Sequence, residues 1–281
     1  MGRGYLALMR PANCIMIGFA VIVGAGIAAG ENLLSVDLVR LASGFIVGFS
    51  FCAVSMIIND IYDVEIDKAN RLDRPLVTGQ ATISGAYKLS VLLGIAGLLS
   101  SLITGLITLI VASFSIAVGV YYNAKGKKLG MPGNIMVAYN IGIPILYGAL
   151  IVERLTWTIM IYWLMVFLTG LGREIVKDIA DMEGDKIKGV KSIPITRGER
   201  YSSIIAVSMY ITAILLSPMP ILLGNINDYG YGIPVLITDS LLIYSIKLIL
   251  KNPDRVHALK HKKIVLTAMM SGLVGFLLGS L

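Results

Sequence analysis

Nine apolar runs, each about long enough to cross a lipid bilayer, constrain the fold of this chain more than any other feature. They lie near residues 11–30, 36–58, 85–105, 106–122, 133–152, 156–175, 201–223, 232–250 and 262–281. In lipid, a helix of roughly 20 apolar residues satisfies its own backbone polar groups. Charged residues make up only 15% of the chain, against roughly 25% in a soluble domain. The sequence therefore predicts an all-α, polytopic membrane protein that forms a single transmembrane domain over residues 1–281.

Two boundaries between these runs differ in clarity. The third and fourth runs are nearly continuous, and Thr104-Gly105 is the predicted break between them. The fourth and fifth are divided by Lys125-Gly-Lys127-Lys128 and by Met131-Pro132-Gly133. Glycine and proline at such positions interrupt helices, so both sites are predicted turns.

The basic residues lie almost entirely on one side of the predicted membrane. With the N-terminus inside, the inner loops are 59–84, 123–132, 176–200 and 251–261, and only Arg40 and Arg154 of the 24 Lys and Arg residues fall outside. Positively charged loops stay on the cytoplasmic side. We therefore expect a multi-pass plasma-membrane protein with a cytoplasmic N-terminus and an outer C-terminus. The net charge of +7 then reflects topology and anionic lipids, and no nucleic acid is expected as a partner.

Two inner segments that begin 118 residues apart carry nearly the same acidic sequence. One is Asp60-Ile-Tyr-Asp63-Val-Glu-Ile-Asp67-Lys68 and the other is Asp178-Ile-Ala-Asp181-Met-Glu-Gly-Asp185-Lys186, with six of nine positions identical. On a helix, residues i, i+3 and i+7 share one face, so each segment presents a ladder of three carboxylates. We call Asp60, Asp63 and Asp67 the first ladder, and Asp178, Asp181 and Asp185 the second ladder. Mutual repulsion within each ladder should either favour cation binding or raise the pKa values of the carboxylates. Two ladders that face each other would suit hard divalent ions and a phosphate-bearing substrate.

The repeated spacing indicates an internal duplication. Each ladder follows an even-numbered span, the second and the sixth. Each is also followed by a similar tail, Arg74-Pro75-Leu-Val-Thr-Gly79 and Ile193-Pro194-Ile-Thr-Arg-Gly198. We therefore expect two related helical halves that meet at a central cavity, with the ladders on the cytoplasmic side.

Basic residues alternate with the carboxylates in both inner segments. They are Lys68, Arg71, Arg74, Arg173, Lys177, Lys186, Lys188, Lys191 and Arg197. Carboxylates alone indicate a cation site, whereas carboxylates beside Lys and Arg indicate a diphosphate bound together with magnesium. Two Mg²⁺ ions would make the diphosphate a better leaving group. If the substrate is an allylic prenyl diphosphate, the resulting carbocation needs an apolar cavity that excludes water.

These motifs resemble those of a known family. Asn59-Asp60-x-x-Asp63-x-x-x-Asp67 resembles the first signature of the UbiA-type intramembrane prenyltransferase superfamily, and the second ladder resembles its second signature. Arg10-Pro11-Ala-Asn13 is similar to its opening motif, and Tyr121-x-x-x-Lys125 is similar to its Tyr/Lys motif. The resemblance covers the whole chain. It implies magnesium-dependent transfer of a prenyl group from a prenyl diphosphate to a lipid-like acceptor in the membrane; the sequence specifies no oligomeric state.

The resemblance also implies roles for individual residues. One ladder would bind one metal ion and the other ladder a second, with Asn59 supporting the first site. Substrate-binding residues would be Asn59, Arg74, Tyr121, Lys125, Lys177 and Lys191. Asn13 and Tyr139 are candidates to face the reacting allyl carbon or the acceptor, although simple helix packing is the alternative interpretation for Tyr139.

The sequence identifies the acceptor substrate less closely than it identifies the prenyl donor. The runs Leu8-Met-Arg-Pro-Ala-Asn13-Cys and Asp73-Arg-Pro-Leu-Val-Thr-Gly79 look most like those of family members that make archaeal ether lipids. This implies geranylgeranyl transfer to the free hydroxyl of geranylgeranylglyceryl phosphate, which forms the second ether bond. The alternative is an aromatic acceptor such as 4-hydroxybenzoate or another quinone precursor, or a haem or chlorophyll precursor.

Other classes of protein fit the sequence less well. A CDP-alcohol phosphotransferase needs Asp-Gly in its motif, whereas Val64 follows Asp63 here. A secondary transporter needs polar groups near the membrane midplane, whereas these charges cluster at one face. His257 and His261 lie among four basic residues that repel a metal ion. The glycines of Gly24-Ala-Gly26-Ile-Ala-Ala-Gly30 and Gly44-x-x-x-Gly48 lie in apolar runs and predict close helix packing, not a nucleotide site.

Overall fold

A computed structural model describes residues 2–30, 36–69, 73–187, 189–224 and 226–280. Arg71 and Lys188 lie outside the described residues. The helices are α1 (Gly2–Met9), α2 (Pro11–Ala29), α3 (Leu38–Ala69), α4 (Ile83–Thr104), α5 (Leu106–Ala124), α6 (Met131–Ile151), α7 (Trp157–Ile187), α8 (Ile193–Arg197), α9 (Glu199–Leu216), α10 (Met219–Leu222), α11 (Asp228–Lys251) and α12 (Arg255–Gly279). A short 3₁₀ helix, Gly126–Leu129, joins α5 to α6.

In the part of the chain that the structure describes, nine helices are long and apolar enough to cross a membrane. They are α2 to α7, α9 with its continuation α10, α11 and α12. This confirms the all-α prediction and the count of spans. Both predicted turns are also present: Gly105, with a φ of 127°, separates α4 from α5, and the 3₁₀ helix separates α5 from α6.

The nine spans pack in a closed series. Each consecutive pair is in contact from α2 through α7, α9, α11 and α12, and α12 returns to contact α2. Helix α2 also packs extensively against α6, which lies far from it in the series. The chain therefore brings α2, α3, α6 and α7 together, and these four helices carry or border both aspartate ladders.

The predicted ends of the second and sixth spans were wrong. Helix α3 continues to Ala69 and α7 to Ile187, beyond the predicted ends at 58 and 175. The segments predicted as aspartate loops at 59–84 and 176–200 are thus helical where the ladders lie. The physical reason is that the buried apolar stripe continues past the first charges, through Ile57, Ile61 and Val64 in α3 and through Ile179 in α7. The ladders consequently stand on rigid helices.

Glycine allows α2 and α6 to approach closely. A Cβ atom at Gly24 would overlap the backbone oxygen of Ile145, and one at Gly148 would overlap that of Val21. Gly48 lies similarly close to Gly18 across the α2–α3 contact. This confirms the packing role predicted for Gly24 and Gly48, whereas an added Cβ at Gly30 would meet nothing within 4 Å.

We expect Gly148→Val to destabilise the bundle strongly, because the obstructing atoms belong to backbone and cannot rotate away. Overpacking of this kind costs about 3 kcal/mol or more. The measurement is the fraction of monodisperse protein that survives a heating series in detergent. Gly232→Ala is the matched control, because nothing lies within 4 Å of its added Cβ. Equal thermal stability of the two variants would contradict the close α2–α6 contact.

Candidate active site at the ends of helices α3 and α7

Cationic side chains hold the first ladder. Asp60 is 3% exposed, and its Oδ1 lies 2.6 Å from Arg10 Nη2 and 3.7 Å from Arg74 Nη1. Asp63 Oδ2 lies 2.5 Å from Lys127 Nζ. Asp67 is buried. Asp60 and Asp63 therefore contact the kinds of side chain that also bind phosphate oxygens.

The backbone at Arg10 directs its side chain to the ladder. Arg10 has a φ of 51°, in the left-handed region that non-glycine residues rarely adopt. It separates α1 from α2, and Pro11 occupies the first turn of α2, where its missing N–H leaves no bond unmade. The sharp turn between the two helices lets Arg10 reach Asp60, 50 residues away in sequence.

The second ladder is held by an amide. Asn134 Nδ2 donates a hydrogen bond of 2.8 Å to Asp178 Oδ2. Asp185 is buried and interacts electrostatically with Asp178, whereas Asp181 is exposed. The two ladders therefore differ: cations contact the first, and a neutral donor contacts the second at Asp178.

The turn between α5 and α6 borders both ladders. On the first ladder's side, Asn59 donates to Asn123 Oδ1 at 3.1 Å. On the second ladder's side, the Lys191 amide donates to the Lys128 carbonyl at 3.4 Å. Gly130, with a φ of 69°, is needed there because a Cβ would overlap the Lys191 carbonyl. The turn thus contacts the last part of α3 through Lys127 and Asp63, and the segment after α7 through Lys128 and Lys191.

Some of the other predicted site residues lie at a ladder, and others lie exposed on the surface. Asn59 and Arg74 lie at the first ladder, and Lys177 lies beside the second, where it donates to Glu174 at 2.9 Å. Tyr121, Lys125 and Lys191 are exposed. Lys127, which was not among the predicted site residues, contacts Asp63.

Asn13 and Tyr139 lie on α2 and α6. Asn13 is half-buried in the first turn of α2, next to the buried Cys14. The Tyr139 hydroxyl is 3.2 Å from Ser115 Oγ, and its ring packs edge-on against Phe114 at 5.7 Å. Tyr139 therefore has the packing contacts of the alternative interpretation, and its role in catalysis stays a prediction.

Several contacts to the ladders were not predicted. They are made by Arg10, Lys127 and Asn134, and Asn123 bonds to Asn59 beside the first ladder. Two of these residues could have been found from the sequence. Lys127 lies in the basic run Lys125-Gly-Lys127-Lys128, and Arg10 begins the opening motif Arg10-Pro11-Ala-Asn13. Nothing in the sequence distinguished the two asparagines from others in apolar helices.

The carboxylates fit magnesium bound together with a diphosphate. Within the described ranges, no group of three or more His, Cys, Asp or Glu side chains is close enough to hold a metal ion by itself. Magnesium is commonly held by one or two carboxylates, several waters and substrate phosphates. A pair of carboxylate ladders on rigid helices suits that mode better than a closed protein cage.

The profile of the UbiA prenyltransferase family matches residues 17–279. The chain belongs to the UbiA prenyltransferase family. A digeranylgeranylglyceryl phosphate synthase from Archaeoglobus fulgidus is 35% identical over 277 residues, which cover 97% of this chain and 94% of that protein. Membership of the UbiA family confirms the prediction of a prenyltransferase that crosses the membrane several times.

Solved structures agree with the UbiA fold. A digeranylgeranylglyceryl phosphate synthase structure is 36% identical, has a TM-score of 0.81, and covers 99% of this chain and 98% of its own. A UbiA homolog from Archaeoglobus fulgidus, solved with DMAPP and Mg²⁺, is 18% identical, with a TM-score of 0.76 over 97% of this chain and 98% of its own. The second likeness shows the fold alone.

Proposed function

We propose that this UbiA family member transfers a geranylgeranyl group from geranylgeranyl diphosphate to geranylgeranylglyceryl phosphate. The bond between C1 of the donor and the diphosphate oxygen breaks, and a bond between C1 and the acceptor hydroxyl oxygen forms. The hydroxyl proton passes to the released diphosphate or to a ladder carboxylate, so the products are a diether phosphate and diphosphate. The observation that carries the proposal is the near full-length similarity to digeranylgeranylglyceryl phosphate synthases.

The two ladders are proposed to hold the diphosphate through two magnesium ions, one at each ladder. Magnesium, when bound, would neutralise the diphosphate and favour its departure. The solved UbiA homolog that contains both Mg²⁺ and DMAPP supports magnesium as the metal that accompanies the diphosphate. Asn59 would support the first site through its bond to Asn123.

Arg10, Arg74 and Lys127 are proposed to exchange partners when the substrate binds. In the structure they neutralise Asp60 and Asp63. With magnesium on the carboxylates, the same guanidinium and ammonium groups would be released next to the diphosphate oxygens and could bond to them. Lys125, Lys191 and Tyr121 are exposed near this end of the bundle and would join from the surface.

The reacting carbon is proposed to lie deeper, between apolar helices. An alcohol is a weak nucleophile, so the allylic cation must be largely formed before attack and must be shielded from water. Asn13 and Tyr139 could face this cation with an amide oxygen and an aromatic ring. The prenyl tail would lie among the apolar side chains of a single domain spanning residues 1–281.

We place the site at the cytoplasmic face of the plasma membrane. The ladders and the basic 3₁₀ turn share one end of the bundle, and this is the end that carries nearly all Lys and Arg residues. The positive-inside bias supports a cytoplasmic N-terminus and an outer C-terminus.

A panel of acceptors tests the proposed reaction. Purified protein receives labelled geranylgeranyl diphosphate with geranylgeranylglyceryl phosphate, 4-hydroxybenzoate or a haem precursor in turn. We expect labelled product with geranylgeranylglyceryl phosphate only, because the relatives across the whole chain are digeranylgeranylglyceryl phosphate synthases. Product with an aromatic acceptor alone would overturn the assignment of the acceptor and leave the family assignment intact.

A further inference from the structure

A buried, charged cluster lies one helical turn before the second ladder on α7. Glu174 is 3% exposed, with Oε1 2.9 Å from Arg173 Nη1 and Oε2 2.9 Å from Lys177 Nζ. Neither the ladders nor the diphosphate requires a carboxylate at this depth. The cluster therefore needs an explanation of its own.

Helices α9 and α12 complete the cluster. Lys262 of α12 is half-buried and interacts electrostatically with Arg173, Lys177 and Glu174. Tyr210 of α9 and His261 are fully buried, with their rings 5.4 Å apart. Among the described residues, the Tyr210 hydroxyl, both His261 ring nitrogens and Arg173 Nε have no hydrogen-bond partner.

The charges among the buried members of this cluster do not balance. Three cationic side chains, Arg173, Lys177 and Lys262, lie around the carboxylate of Glu174. Asp178 interacts electrostatically with Lys177, and Asp181, which interacts with Lys177 and Lys262, is exposed to water. Like charges in a partly buried site repel each other strongly, because the surroundings screen them less than water does. A buried donor without a partner adds a further cost. A dianion with several acceptor oxygens would remove both costs, and a phosphate monoester is such a group.

We propose that Arg173, Lys177 and Lys262 bind the phosphate of the acceptor, an inference that rests on the proposed function. Arg173 precedes Asp178 by five residues, which corresponds to about 7.5 Å along the helix. Lys262 also interacts electrostatically with Asp181 of the second ladder. An acceptor phosphate here would lie beside the metal site but apart from it, and the adjoining glycerol hydroxyl would point toward the departing diphosphate.

Tyr210 and His261 are positioning residues in this arrangement. Both interact electrostatically with Arg173, and both are too deeply buried to meet a lipid headgroup from the aqueous side. Their packing fixes the guanidinium plane, while Glu174 prevents the empty site from carrying three uncompensated charges. The subsite distinguishes a phosphorylated lipid alcohol from a neutral one.

The test removes the lysine and the substrate phosphate separately. Lys262→Ala is assayed with geranylgeranylglyceryl phosphate and with the same lipid lacking phosphate. We expect KM for the phosphorylated acceptor to rise by about tenfold, as for a lost charge-assisted hydrogen bond. KM for geranylgeranyl diphosphate should stay within about twofold, and the variant should match the wild type on the neutral lipid. Lys263→Ala, an exposed neighbour with the same loss of charge, is the control.

A binding measurement separates the possible failures. In EDTA, geranylgeranylglyceryl phosphate should raise the thermal stability of the wild type and of Lys263→Ala but not of Lys262→Ala, because this subsite needs no metal. If the wild type uses the phosphorylated lipid and Lys262→Ala behaves like Lys263→Ala in both assays, the subsite is wrong and the proposed function stands. If the wild type prenylates only an aromatic acceptor, both fail.

Discussion

Replacing Asp63 or Asp181 by alanine is expected to abolish prenyl transfer while the protein remains folded. Each substitution removes the central carboxylate of one ladder, and therefore a ligand for the metal-bound diphosphate. Loss of one preorganised group that stabilises transition-state charge lowers turnover by roughly 10³-fold, and loss of a metal ligand should reach at least that. The measurement is kcat with geranylgeranyl diphosphate and the acceptor at saturation.

The surroundings of these two residues argue against a folding defect as the cause of the loss. Asp181 is exposed, and Lys127, which pairs with Asp63, has a side chain that is 29% exposed and can turn to water. The side chain of Asp63 is 18% exposed, so breaking this part-buried pair costs more than the roughly 1 kcal/mol of a surface pair. Thermal unfolding in detergent should therefore resemble that of the wild type for Asp181→Ala and shift only modestly for Asp63→Ala.

A glutamate beside each ladder provides a control substitution for the loss of charge. Glu65 and Glu183 lie two residues after Asp63 and Asp181, and their side chains are 78% and 84% exposed. Glu65→Ala and Glu183→Ala remove the same charge from the same helices and should keep nearly full activity. Full activity in Asp63→Ala or Asp181→Ala would contradict the assignment of the ladders to the metal site, as would an equal loss in the glutamate controls.

Removal of divalent metal is expected to stop the reaction, and added magnesium should restore it. Without metal, the carboxylates of the two ladders repel an anionic diphosphate. Thermal stability provides a second measurement. Because no three-carboxylate cage is preformed in the described ranges, we expect little stabilisation by Mg²⁺ alone and a clear increase with Mg²⁺ and diphosphate together.

The same measurement in sealed vesicles tests the orientation. EDTA does not cross a bilayer, so it should inhibit enzyme whose cytoplasmic face is outside and spare enzyme of the opposite orientation. Sustained turnover in metal-free buffer would overturn the role of magnesium. Inhibition only in vesicles with the outer face exposed would reverse the proposed topology but leave the metal requirement unchanged.

The sequence predicted the membrane fold well because lipid imposes a simple physical condition. Every backbone group must be satisfied within the span, so nine apolar runs could form nine helices and little else. Gly105 was predicted as a break between two helices because glycine interrupts helices. The structure confirms it, with a φ of 127° that other residues rarely adopt. The ends of α3 and α7 were predicted too early because the mean hydropathy falls at the first charged residues. One face of each helix nevertheless stays apolar beyond that point, and a mean over all residues does not show this.

For the candidate site too, the sequence predicted some features and the structure alone gave others. The three-then-four spacing of the aspartates was enough to predict two ladders, because helical periodicity alone brings i, i+3 and i+7 together. The contact of Lys127 with Asp63 depends on the 3₁₀ turn after α5, and the contacts of Asn123 and Asn134 depend on helix packing. Such contacts join residues 44 to 64 positions apart, and sequence spacing carries no information on them.

The amino-acid sequence by itself thus determined the class of fold, the number of spans and the identity of the acidic residues, since these follow from local composition and helical period. Only the tertiary structure decided which cations contact which carboxylates, and that Arg173, Lys177 and Lys262 surround a buried Glu174. The physical reason is that charge–charge contacts depend on distances between helices. Those distances are set by how α2, α3, α6, α7 and α12 pack together. They cannot be read from the order of residues along the chain.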